Sequence, residues 1–159
     1  MARALTAGEI AMASTLFGDA IDYARVRIHN RRYLPYLQPK NCAMSPNGSL
    51  YFHRSRCRDD FSLAPAHERR WFMHEMVHVW QHQLGYPVRL RGAVRIGLDY
   101  RYHLRPGATL ADFNMEAQGD LLADYFMLAA DDPVRPLYEQ VLGSFLADPS
   151  DRRHLPSLW

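Results

Sequence analysis

Residues 74–78 read His74-Glu75-Met76-Val77-His78 inside a stretch with helical patterning. On a helix, positions i and i+4 share a face, so His74 and His78 can present their imidazoles to one metal ion. Glu75, between them, is placed to take a proton from a metal-activated water. A catalytic zinc usually has three protein ligands and keeps one position open, so a third ligand must come from elsewhere. The segment Asn114-Met115-Glu116-Ala117-Gln118-Gly119-Asp120 offers one. Glu116 and Asp120 are four apart and share a face. Glu116 reads as the third ligand, and Asp120 as the acceptor for the outer N–H of a ligand histidine, fixing its tautomer. Two imidazoles and a carboxylate suit Zn2+. His82 continues the stripe, but His74 and His82 lie about 12 Å apart along the helix, too far for bonds of about 2 Å to a single ion. His82, and His67 upstream, therefore read as hydrogen-bonding or surface residues. Hydrolysis would also need a group to stabilise an oxyanion. Tyr100, Tyr102 and His103, with Arg101 among them, are the candidates, and the sequence does not choose.

The elements that must position these residues follow from pattern. Thr6-x-x-Glu9 is a capping box opening a helix to about Phe17, which Gly18 ends. Met1 to Thr6 should lead directly into it. Val26 and Ile28 alternate with Arg25, Arg27 and His29, as in a short half-exposed strand. Residues 30–49 read as a loop with a turn at Pro46-Asn47-Gly48. Leu50 to His53 reads as a second strand, at a sheet edge where an extended substrate could pair. Pro65 opens a long helix to about Leu84, with Gly85 and Pro87 as stop signals. Its Trp71, Phe72, Met76, Val79, Trp80 and Leu84 recur at core-facing steps. Residues 88–108 look irregular and Arg-rich. Thr109 or Asp112 should cap the next helix, to about Ala130, and a last helix covers about Leu137 to Leu146. These elements predict a single α+β domain over residues 1–147, with a loosely packed tail at 148–159. A small, mostly antiparallel sheet should pack on the 65–84 helix, with the Glu116 helix completing the site.

Composition excludes some partners. The 159 residues suit one domain, with 48% hydrophobic and 23% charged residues. A net charge of +2 gives no case for nucleic acid. Eighteen of the nineteen basic residues are Arg, with Lys40 the sole Lys, a bias that reads first as genomic. No apolar run approaches the roughly 18 residues that span a bilayer, so no membrane partner is expected. No signal pattern is visible, so synthesis as a soluble cytoplasmic protein is expected, with any export left to machinery that needs no cleavable signal. Cys42 and Cys57 flank a candidate hairpin, where a bridge is geometrically feasible. Without a secretory signal they read as reduced thiols.

The paired motifs resemble the gluzincin branch of the zinc metallopeptidases, which joins H-E-x-x-H to a second helix bearing E-x-x-x-D, often preceded by Asn. The resemblance implies zinc held by His74, His78 and Glu116, with Glu75 as general base and Asp120 as the histidine's partner. The metzincin pattern needs a further Gly and His, which Val79-Trp80-Gln81-His82-Gln83-Leu84 lacks. Leu5-Thr6-Ala7-Gly8-Glu9-Ile10, Phe17-Gly18-Asp19, Val26-Arg27-Ile28-His29 and His74 through Gln81 are similar to DUF4157-type bacterial proteins over about residues 4–130. Some of these are described as Vgr- or Rhs-related components of type VI or other contractile injection systems. The resemblance implies a zincin-like fold, peptide-bond hydrolysis, a protein or peptide substrate and a Vgr/Rhs-type secretion partner. Two other readings stay open: a zinc-binding accessory or cargo module of a secretion spike with little turnover, and an exported toxin.

Overall fold

The computed structural model describes residues 2–159 as an α+β arrangement built around one buried helix. β1 (Ala2–Ala4) precedes α1 (Ala7–Phe17), a strand that the sequence pattern does not announce. β2 (Arg27–His29) and β3 (Leu50–Tyr51) complete a sheet of order β1-β2-β3. β1 pairs antiparallel with β2, but β2 and β3 run parallel, so the sheet is mixed rather than mostly antiparallel. The twenty-residue connection between β2 and β3 is long enough to cross over and return in the same direction.

Leu50 to His53 is not the free edge the sequence suggests. Tyr51 exchanges both backbone hydrogen bonds with Met44, while Phe52 N–H donates to His29 on the other side. The Met44 segment is thus the outer edge. The Pro46-Asn47-Gly48 turn comes directly after it, with Gly48 at φ +83°. A Cβ at Gly48 would lie 2.7 Å from the ring of His82, which is itself an exposed surface residue.

The box at Thr6 forms as expected, and Glu9 does more than cap. Its fully buried carboxylate takes two bonds from Arg3, at 2.7 and 2.9 Å, and the N–H groups of Thr6 and Phe61. It ties β1, α1 and the 3-10 turn Phe61–Leu63 together.

α2 (Ala66–Gln83) is buried continuously from Phe72 through Gln81. A helix buried on all faces needs apolar partners all round. Phe17 and Phe145 pack on Trp80 on one side, and Phe52 and Phe61 pack near Trp71 and Phe72 on another. α4 (Met115–Met127) lies along a third face. Residues 88–108 are not wholly irregular: Val88–Ala93 forms a short helix, α3. Thr109 and Asp112 form a capping box on the 3-10 turn Leu110–Asp112, and α4 has its own cap, Asn114, which accepts from the N–H groups of Glu116 and Ala117. α5 (Arg135–Ala147) closes the core through Tyr138, Val141, Leu142 and Phe145.

The segment expected to be a loose tail is fastened down. Trp80 Nε1 donates to Pro149 O at 2.7 Å, Gln118 Nε2 donates to His154 O at 2.9 Å, and His154 itself is buried. Cys42 and Cys57 are free thiols. Among the described residues no helix is long and apolar enough to cross a membrane.

Candidate metal centre

Because α2 is buried, its polar side chains must find partners inside the protein. His74 and His78 lie one turn apart, with their Nε2 atoms 3.2 Å from each other. α4 brings Glu116 Oε1 to 2.6 Å from His78 Nε2 and 3.6 Å from His74 Nε2. All three residues are buried. A tetrahedral ion with bonds of about 2.0–2.1 Å requires ligand atoms about 3.3 Å apart, and these three lie within 4.8 Å of one another.

The donor set fits a divalent cation in a second way. Glu116 Oε1 is buried and, when both imidazoles carry their proton on Nδ1, has no hydrogen-bond donor. An unsatisfied buried oxygen is costly, the more so on a charged group, and a cation between the two imidazoles would satisfy it. The outer nitrogens point to acceptors. His74 Nδ1 is 2.8 Å from Asp120 Oδ1, and His78 Nδ1 is 2.8 Å from Gln81 Oε1. Both pairs place the proton on Nδ1 and leave the Nε2 lone pair facing Glu116.

Electrostatics agree with geometry. Burial opposes charge on His74, but the nearby carboxylates of Asp120, Glu116 and Glu75 outweigh it and push the pKa up to about 10. Burial opposes charge on His78 as well, and Glu116 again reverses the direction. Burial would raise the Glu116 pKa, yet His78 and His74 hold it well below the usual carboxylate range. Positive charge is therefore favoured at the point between the three side chains, and a metal ion supplies it as protons do.

Gly119 permits this meeting of helices. A Cβ there would sit 2.6 Å from His74 Cε1 and 2.8 Å from Nδ1. Its place in the Glu116–Asp120 run is visible in the sequence, but its use as a flat seat for an imidazole is not. Gln81, at i+3 from His78, is open to the same helical spacing argument that identifies Asp120.

Glu75 is buried beside the ligands, and Ser45 Oγ donates to its Oε2 at 2.6 Å. Ser45 comes from the edge segment around Met44, thirty residues away in sequence. Asp120 is held by Arg70 at 3.3 Å, and Arg70 in turn by Asp124 at 2.7 Å.

The three oxyanion candidates separate cleanly. The Tyr100 ring stacks on His74 with centroids 5.9 Å apart, and Arg95 Nη2 lies 3.5 Å from its hydroxyl. Burial, with Glu116 nearby, pushes the Tyr100 phenol up, so it stays a protonated donor. Tyr102 turns away: its hydroxyl donates to Asp124 at 2.6 Å and lies 2.6 Å from Tyr138 Oη. His103 is exposed beside that neighbouring hollow and does not line the cleft over the ligands. Arg95, which no motif singles out, sits 3.4 Å from Glu116 Oε2.

A cleft of about 730 Å³ opens over the ligands. α2 and α4 form its floor. Residues 33–46 form one wall, and residues 88–100 the other.

Comparison with known proteins places this geometry. No protein-family model matches the chain, so the DUF4157-type expectation rests on the residues quoted for it. The type VI secretion system spike protein VgrG2b of Pseudomonas aeruginosa is 46% identical over 132 residues, which is 79% of this chain. The solved effector domain of Pseudomonas aeruginosa VgrG2b superposes with a TM-score of 0.76 at 43% identity, covering 90% of this chain and 81% of that domain. The chain belongs to the VgrG2b effector-domain family. Its VgrG2b-type segment spans only 13% of the length of the full spike protein. The likeness to VgrG2b also carries the Vgr relationship that the sequence resemblance implied.

Proposed function

We propose that the chain is a zinc-dependent metallopeptidase domain working as a type VI secretion effector. The observation that carries the hydrolytic reading is the orphaned Glu116 Oε1, buried and facing the Nε2 atoms of His74 and His78. A zinc ion held by these three residues would supply Lewis acidity toward water and a carbonyl oxygen. Glu75 takes the proton of the attacking water and passes it to the leaving amine. Ser45 occupies Glu75 Oε2 and so fixes the carboxylate, leaving Oε1 for proton transfer. Tyr100 donates its phenolic proton toward the developing oxyanion, and Asp120 with Gln81 keeps the imidazoles in the ligating tautomer. An open cleft above the ligands favours turnover over a purely shape-giving ion.

Kinship with the VgrG2b effector domain supports delivery by a VgrG-type spike, a route that needs no cleavable leader. The test is Glu75→Gln. Hydrolysis of a mixed peptide pool should fall at least about 100-fold, while metal analysis finds one zinc per chain in both proteins. Full activity in the variant sinks the mechanism. Bound zinc with no cleavage by the unmodified protein favours the accessory-module reading.

A further inference from the structure

The net charge of +2 conceals a strong separation. Residues 23–58 carry eight of the nineteen basic residues and none of the seventeen acidic ones. Residues 88–108 carry five more Arg against a single Asp. The remaining 102 residues hold six basic and sixteen acidic side chains. Both cleft walls come from within these two segments: Arg89 and Arg95 line one wall, and Arg32 and Lys40 adjoin Tyr33 and Asn41, which line the other.

Most of this charge has no carboxylate partner. Within 23–58, among the described residues, only Arg58 forms an ion pair, with Glu68. His53 is half-buried, and its pKa is depressed first by desolvation and then by the charges of Arg32, Lys40, Arg54 and Arg56, with no acid among the contributors. Arg89 on the opposite wall is exposed and likewise outside every ion pair among the described residues. Between Arg32 and Lys40, Tyr36 and Leu37 are 96% and 79% exposed.

The floor has the opposite sign. Glu75, Glu116 and Asp120 lie there, with apolar Tyr33, Leu34, Met44, Trp71 and Val88 around them. A uniformly anionic polymer would meet carboxylates at the point of reaction. A polypeptide avoids that conflict by placing neutral or apolar residues over the ligands and acidic residues to either side.

We propose that the cleft recognises acidic polypeptides: a short neutral or apolar stretch seated over Glu75, flanked by Asp- and Glu-rich segments held by Arg32, Lys40, Arg54 and Arg56 beyond the 33–46 wall and by Arg89 on the 88–100 wall. This deepens the peptidase reading but rests on it only for the cleavage step, not for binding. Opposed charges of this kind act chiefly through encounter and are screened over about 8–10 Å at physiological salt.

The experiment uses zinc-loaded Glu75→Gln protein and fluorescein-labelled peptides that share one apolar core and carry Glu, Ser or Lys flanks. Fluorescence polarisation should show the Glu-flanked peptide binding at least tenfold tighter than the other two, with the preference lost by 0.5 M salt. Arg54→Glu with Arg56→Glu should remove most of that preference, weakening the Glu-flanked peptide far more than the Ser-flanked one. Arg54→Ser with Arg56→Ser, a milder pair, should give a partial loss at an unaltered Tm. Equal binding of the three peptides overturns the proposal, as does tighter binding of a single-stranded oligonucleotide or of anionic phosphatidylglycerol vesicles. Selective binding by the variant, with no cleavage by the unmodified protein, keeps the recognition and rejects the peptidase reading.

Discussion

Glu9 and Glu116 are both buried glutamates on helices, yet their surroundings set them to opposite uses. Glu9 has both oxygens filled by Arg3, Thr6 and Phe61, so it locks three elements in place. Glu116 keeps Oε1 without a donor and aims it at two imidazoles. A buried carboxylate with complete partners is a staple, and one left incomplete beside lone pairs is a candidate metal ligand.

The comparison can be broken from either side. Glu9→Gln should cost about 3 kcal/mol of folding stability, because it leaves the Arg3 charge without its partner. Zinc affinity of the folded fraction should not change, and denaturant melts with metal titration check both halves. Glu116→Gln should do the reverse: zinc affinity falls more than about 100-fold, beyond the roughly 10–100-fold effect of losing an outer-shell partner, while chelator-treated protein melts within a few degrees of the unmodified chain. If the two substitutions produce the same pattern, the distinction between staple and ligand fails.

Gly119→Ala sharpens it, since it leaves every ligand chemically intact. Its Cβ would overlap the His74 ring, so zinc affinity should drop about 10–100-fold, as for a lost orienting partner. Unaltered affinity would show that α2 and α4 do not need their close approach.

The smallest effect is one of pH. In chelator, the raised His74 pKa contributes stability that is complete below the unfolded value of about 6.5 and is lost as pH rises through about 10. Zinc must displace that proton, so the Tm gain on adding zinc should grow from pH 6 to pH 9. A gain that shrinks over this window contradicts the site. Glu9 should show no such metal dependence.

Legibility in the sequence tracks the range of the interactions. His74, Glu75 and His78 are legible because one helix fixes their spacing, and Glu116 with Asp120 for the same reason on a second helix. Their meeting is a chemical inference from ligand number, and α4 does lie where it requires. Ser45 and Arg95 are not legible, since loops carry them to the site and nothing local marks them. The parallel pairing of β2 and β3 is hidden because strands of three and two residues carry too little alternation to specify a register. The last dozen residues read as loose because the groups that anchor them, Pro149 O and His154 O, are backbone carbonyls that every residue possesses.

That anchoring has a consequence for how the protein is made. His78 leans on Gln81, Gln81 on Gln118, and Gln118 on the carbonyl of His154. A ribosome delivers the histidines some eighty residues before it delivers the last support of this chain. During synthesis the candidate metal centre therefore lacks this support until His154 is made, and a product cut short before His154 would carry the motif without the hydrogen-bond chain behind it.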